Sequence, residues 1–293
     1  MSVSFWEKDE GLLKSNLLLL NREKQMIRKE ISVLLQDHFD QLPYMSLSLS
    51  EAAALAIGEC FRILGCADES EIDADMKLWL CNYLAQKYSV ADLLRAAEKE
   101  VNYAKEPKIA FWASNQYAEK ALTKFGELFP SSETVLVDSF SQVCEFISGA
   151  DHFGVLPIEN SSDGRLAGFY RLIDKYELKI CAVCDIEDDA GEAFTRFALV
   201  AGDFYPFSLS NSVHIELSLI SSDRSYFMEV IRIAQGLGMT ASRMFSVPLY
   251  YNREDAGNDT VTLTVNDQSI LPFLIYLYLF GKDINVLGFY IQF

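Results

Sequence analysis

Histidine is scarce, positive charge is outnumbered and long apolar runs are missing, and each shortage removes a class of function. Only three histidines, His38, His152 and His214, occur in 293 residues. They are scattered and none has a ligand partner at suitable spacing, so no metal site is expected. Lysine and arginine total 25 against 42 aspartates and glutamates, a formal net charge of −17. A surface that acidic repels phosphate backbones and anionic headgroups, which argues against nucleic acid and membrane partners. The apolar cluster Leu17 to Leu20 is far too short to span a bilayer. No glycine-rich nucleotide fingerprint is present, and no cofactor is expected. Met1 to Glu10 lacks the basic-then-apolar pattern of a secretory signal.

The cysteines are six, at 60, 66, 81, 144, 181 and 184. They lie inside apolar patterns and form no secreted-type framework, so reduced thiols in a cytoplasm are expected. Cys181 and Cys184 match a C-x-x-C spacing. In a strand, positions i and i+3 point to opposite faces, so the two sulfurs are not expected to meet.

What is present is enough apolar residue for real cores. Half of the chain is hydrophobic and 23% is charged, the balance of an ordered protein of two or three domains. Residues 1–104 read as helical. Leu12, Leu13, Leu17, Leu20, Ile27, Ile31, Leu34 and Leu35 give a helical stripe ending near Pro43. Ser48-Leu-Ser-Glu51 predicts a capping box for a helix through Leu64. Two more helices follow, around Glu71 to Tyr88 and Val90 to Tyr103. Residues 105–205 then alternate strands near 108–112, 134–137, 153–158, 178–184 and 196–201 with helices near 116–127, 139–148 and 164–176. That is the rhythm of a three-layer α/β lobe with a largely parallel sheet. Residues 210–293 change to βαββαβ, a ferredoxin-like α+β pattern. The expected fold class is therefore α/β plus α+β behind an N-terminal helical region.

The chemistry concentrates in Phe153-Gly-Val-Leu-Pro-Ile-Glu-Asn-Ser-Ser-Asp-Gly164 and Phe194-Thr-Arg-Phe197. The first reads as a buried strand ending in polar residues that cap a helix starting near Arg165. Such an end presents N–H groups and partial positive charge that suit a carboxylate. The second places Thr195 and Arg196 at the mouth of another buried strand.

At these residues the chain resembles the prephenate dehydratase family. The family's Pro-Ile-Glu-Asn-Ser-x-x-Gly turn is matched by Pro157 to Ser161 with Gly164, and its Thr-Arg-Phe motif by Thr195 to Phe197. Asn285-Val-Leu-Gly-Phe-Tyr290 resembles the last strand of the family's regulatory ACT domain, which the resemblance places at 210–293. It implies conversion of prephenate to phenylpyruvate, CO2 and water in phenylalanine biosynthesis. Thr195 would act at the departing ring hydroxyl. Glu159, Asn160 and Ser161 would hold the substrate, while Arg196 and Arg165 offset its charge. A homodimer built through the ACT or helical region is expected.

The chain also departs from the family. Trp112-Ala-Ser-Asn-Gln-Tyr-Ala-Glu119 replaces a glycine-rich loop, with Asn115 the residue best able to take a positive φ. Asp185 to Phe194, ten residues with five acids, stands where the family carries a second lobe. Arg224-Ser-Tyr-Phe227 and Phe245-Ser-Val-Pro248 replace the effector-site motifs, and Arg243 is the nearest substitute cation. In bifunctional members a chorismate mutase occupies the helical position. Here Asn21 and His38 stand where that helix carries substrate-binding arginines, which implies a helical scaffold rather than an active mutase. Two functions stay open: a prephenate dehydratase, or a non-catalytic dimeric protein that binds a small carboxylate.

Overall fold

A computed structural model describes residues 3–41, 48–65, 68–96, 107–113, 115–148, 152–188, 190–203, 214–219, 224–248, 257–265, 270–282 and 284–292. The chain groups into two compact units, Met1–Lys99 with Leu271–Phe280, and Glu100–Ile270 with Gly281–Phe293. Pro43, Cys66 and the expected helical stretch from 97 to Tyr103 lie outside the described residues, as does the side chain of His38.

The first unit is helical: α1 (Val3–Gln41), α2 (Leu49–Leu64), α3 (Ala74–Ala85), α4 (Val90–Ala96) and α9 (Leu271–Phe280). The predicted capping box is present. Ser48 Oγ accepts from Glu51 N, and the Glu51 carboxylate accepts from Ser48 N at 2.8 Å. Asp73 caps α3 by accepting from Met76 N at 2.9 Å. The core joins Ile31, Ala52, Ala56, Cys60, Met76, Leu80 and Leu84 with Phe273, Ile275 and Tyr276 of α9. Lys77 is buried and its ammonium sits 5.3 Å from the centre of the Phe280 ring. α9 carries no charged residue, as befits a helix surrounded on several sides. The grouping differs from three consecutive segments at this helix, which lies between two strands of the second unit in sequence. The α1 stripe does not all enter the core: Leu17 and Leu20 are exposed, while Ile31 is buried.

The second unit holds β1 (Lys108–Phe111), α5 (Gln116–Gly126), β2 (Glu133–Leu136), α6 (Phe140–Ile147), β3 (Phe153–Asn160), β4 (Gly164–Arg165) and α7 (Ala167–Lys175). It continues with β5 (Lys179–Glu187), β6 (Phe194–Ala201), β7 (His214–Leu219), α8 (Arg224–Gly236), β8 (Met239–Pro248), β9 (Gly257–Val265) and β10 (Ile284–Gln292). All ten strands form one sheet in the order β2-β1-β3-β6-β5-β10-β7-β9-β8, with β4 paired to β3. The last four strands in that order alternate in direction around the antiparallel pairs β10–β7, β7–β9 and β8–β9.

Two expectations need correction. The sheet is mixed rather than largely parallel, because β6 runs antiparallel to both β3 and β5. The ten residues after Cys184 extend β5 and β6 and close a hairpin, where Asp188 N donates to Ala193 O. The facing argument for Cys181 and Cys184 also fails. A bulge between Ile180 and Ala182 inserts Cys181, so both cysteines enter the same core layer. Both are buried thiols, and burial pushes Cys184 up to about 12.

One face of the sheet packs on Ala118, Ala121 and Phe125 of α5. The other packs on Val143, Cys144 and Ile147 of α6 and Phe169, Tyr170 and Ile173 of α7. β5 and β10 join the halves of the sheet at Gly288, which pairs with Ile180 on one side and Glu216 on the other. A Cβ at Gly288 would stand 2.3 Å from Ile180 O and 2.6 Å from Ile180 Cβ, so only glycine lets the strands meet there.

Candidate functional site

The residues singled out in the sequence meet at the ends of β3 and β6, and a proline sets their register. Pro157 lacks a backbone donor and is tolerated in a strand beside a bulge. The pairing passes from Pro157↔Phe197 to Glu159↔Arg196, leaving Ile158 as the extra residue. The bulge turns Glu159 to face Arg196 and sets Asn160 directly across from Thr195.

The chain does not enter a helix at this point. Gly164, at φ +69, turns it back into β4, with Glu159↔Arg165 and Asn160↔Gly164 as partners. Helix α7 starts only at Ala167, behind Leu166, which makes no side-chain cap. The expected capped helix end at Glu159 to Ser162 is therefore a hairpin turn. Asn160 Oδ1 accepts from Ser162 N at 3.0 Å and Asp163 N at 2.6 Å, and its Nδ2 donates to Asp163 Oδ2. This is an Asx-type turn, the local bonding to which asparagine is suited. Ser161 Oγ accepts from Phe194 N at 3.3 Å. Thr195 is half-buried and makes no side-chain hydrogen bond among the described residues.

Each candidate cation is matched by an acid. Arg196 holds Asp185 with both prongs, Nε to Oδ1 at 2.6 Å and Nη2 to Oδ2 at 2.7 Å, and reaches Glu159 through Nη1 at 3.2 Å. Arg165 donates from Nη1 to Glu216 Oε1 at 2.9 Å and to the Tyr170 hydroxyl, and from Nη2 to Thr262 Oγ1 at 3.3 Å. Its Nε lies 3.4 Å from Glu159 Oε2. Arg243 donates from Nη1 to the same Glu159 oxygen at 2.6 Å. The five arginine–carboxylate ion pairs join three guanidinium groups to three carboxylates, a local net charge of zero.

Glu216 is fully buried and is also held by Tyr170 OH at 2.5 Å and Tyr290 OH at 3.0 Å. Burial, then the Glu216 charge, raises both phenols well above their ordinary value. Burial works against the charge of Arg165, but Glu216 beside it prevails and raises its pKa. For Arg196 burial is likewise outweighed, here by the hydrogen bonds to Asp185. Arg165 also stacks over Phe245, 4.7 Å from the ring centre.

The sequence reading missed Glu216, Tyr170, Tyr290 and Thr262. A lone acid inside His214-Ile-Glu-Leu-Ser-Leu219 was the available signal. Asp185, one of the five acids between Cys184 and Thr195, neutralises Arg196. Asn115 does not take a positive φ: at φ −165 it caps α5, accepting from Tyr117 N and Ala118 N. No group of three or more metal-ligating side chains occurs among the described residues, and no helix there is long and apolar enough to cross a membrane.

The chain shares its fold with a prephenate dehydratase. The enzyme from Streptococcus mutans superposes with a TM-score of 0.51 at 18% identity, over 64% of this chain and 100% of its own. Prephenate dehydratase in complex with L-Phe from Arthrobacter aurescens gives 0.48 at 14%, over 62% and 90%. GqqA, described as a novel type of quorum quenching acylase, gives 0.48 at 18%, over 62% and 93%. No family model and no curated protein matches the chain. Identities this low speak to fold and leave function to the site.

Proposed function

We propose that the protein is a non-catalytic relative of the prephenate dehydratases that binds a small carboxylate and serves a regulatory role in aromatic amino-acid synthesis. The observation that carries this reading is the charge balance. Prephenate is a dianion, and a site for it inside an acidic protein must supply surplus positive charge. Arg165, Arg196 and Arg243 are instead neutralised by Glu159, Asp185 and Glu216. Of the groups that would grip a substrate, Asn160 donates its Nδ2 to Asp163 within the turn, and Ser161 Oγ accepts from Phe194 N. A single carboxylate remains within reach, by exchange with Glu159.

The strand order β10-β7-β9-β8 supports reading 210–293 as an ACT domain. The exposed Leu17, Leu18, Leu19 and Leu20 on α1 support a homodimer through the helical region. Free buried cysteines fit a cytoplasmic setting.

The second reading, a working dehydratase, is favoured by one observation: Thr195 stands directly across from Asn160 at the strand ends. Pure protein incubated with prephenate decides between them. No phenylpyruvate should form. Turnover that disappears in Thr195→Ala would establish the enzyme instead.

A further inference from the structure

Three guanidinium groups converge on one carboxylate oxygen. Glu159 Oε2 lies 2.6 Å from Arg243 Nη1, 3.2 Å from Arg196 Nη1 and 3.4 Å from Arg165 Nε. Arg165 comes from β4, Arg196 from β6 and Arg243 from β8, whereas Glu159 is the residue before the last of β3. A tie between strands needs one arginine for one acid. Arg165 and Arg196 have acids of their own in Glu216 and Asp185, so their approach to this oxygen exceeds what such a tie requires.

The convergence has the form of a receptor. Arg196 is fixed in place by Asp185, and Arg165 by Glu216 and Tyr170, so neither needs Glu159 to hold its position. Arg243 has Glu159 as its acid, and its side chain is 38% exposed, against 16% for that of Glu159. Without the Glu159 charge, three arginines would face two acids, with N–H groups of Arg196 and Arg243 aimed at one point and Arg165 Nε 3.4 Å from it. Guanidinium donors held in fixed positions are the usual means of gripping a carboxylate.

We propose that Arg165, Arg196 and Arg243 form a monocarboxylate-binding site which the protein fills with its own Glu159. The proposal rests on the carboxylate-binding reading above and adds its control. A small external carboxylate enters only when Glu159 yields. Its entry releases Arg243 from the end of β3, and with it the side-chain tie between that strand and the sheet edge at β8.

Replacement of the missing carboxylate tests this. Glu159→Ala should unfold at a lower temperature than the wild type, and formate or acetate should raise its midpoint saturably. At roughly tenfold excess over the apparent Kd the rise should be about 3–5 °C. Chloride at equal ionic strength should not reproduce it. Glu159→Gln, which fills the space without the charge, should not respond. In Glu159→Ala/Arg243→Ala the apparent carboxylate affinity should fall about tenfold or more, the scale of one lost charge-assisted hydrogen bond. If Glu159→Ala does not fold in plain buffer, refolding from urea in an acetate series reads the same event as recovered far-UV signal. A response equal to that of chloride, or one unchanged in the double variant, overturns the proposal. That failure leaves the absence of prephenate turnover standing. Turnover by the wild type would instead overturn the non-catalytic reading and leave the anion site to its own test.

Discussion

Adding one methyl group at Gly288 should split the sheet at the seam between β5 and β10. The methyl of Gly288→Ala would lie 2.3 Å from Ile180 O, 2.6 Å from Ile180 Cβ and 2.9 Å from Ile180 Cα. Ordinary contacts need roughly 1 Å more, and none of these atoms is the end of a flexible side chain. β10 cannot simply step away, because its other edge is paired with β7 from Ile284↔Leu219 to Tyr290↔His214. Relief therefore comes from losing the β5 register at Gly288↔Ile180, Ile291↔Ala182 and Gln292↔Val183. Overpacking costs about 1–3 kcal/mol and each lost hydrogen bond about 0.5–1.5 kcal/mol, which gives a total of about 3–5 kcal/mol. Urea unfolding followed by circular dichroism should show the midpoint falling by about 1 M or more. If the two units unfold separately, only the transition of the sheet unit should move. Gly58→Ala is the internal control. It sits within α2 with nothing inside 4 Å of the added carbon, and should stabilise by about 0.5–1 kcal/mol. A Gly288→Ala protein within 0.5 kcal/mol of the wild type would refute the steric argument.

Three further outcomes are open to measurement. Glu216→Leu should cost about 3–5 kcal/mol by leaving the Arg165 charge buried without its acid, and adding Arg165→Met should recover most of the loss in the same denaturation assay. Ser48→Ala should cost about 1 kcal/mol through loss of the α2 cap, seen as a lower urea midpoint of the helical unit. Burial, reinforced by Arg196, holds the His214 imidazole below its ordinary value of 6.5. The unfolded chain thus takes up this proton at a higher pH than the folded one. The resulting stability is complete above pH 6.5 and is lost as pH falls from there toward the folded pKa. His214→Gln should flatten the change in urea midpoint between pH 7.5 and pH 5.5, and an unchanged slope would remove this residue from the account.

The legible parts of the sequence were those set by local rules. Ser48 and Glu51 announce a helix start because the box is built from residues three apart. Phe153 to Ile158 reads as a buried strand because its apolar run is continuous. Asn160 and Thr195 were each placed at a strand end, but that they face each other depends on the pairing of β3 with β6. What stayed hidden depended on register and distant pairing. The bulge at Ile158 and the two-residue β4 have no period to detect, so the turn after Asn160 read as a helix cap. Arg165 and Glu216 are 51 positions apart, and no local pattern couples them. Glu216 alternates with Ile215 and Leu217 and so reads as solvent-facing, whereas Tyr170 and Tyr290 cover it. α9 reads as one more apolar helix, with nothing in its letters to name the elements it joins.

The membership of α9 in the helical unit bears on how this chain is made. During synthesis the first hundred residues leave the ribosome long before Leu271 to Phe280 does. Until then Met76, Leu80 and Leu84 lack the apolar helix that completes their core. The nascent helices must wait, partly uncovered, for a segment made only after β1 to β9. A fragment ending before residue 271 should therefore be sticky and dependent on chaperones, and supplying α9 as a separate peptide should relieve it.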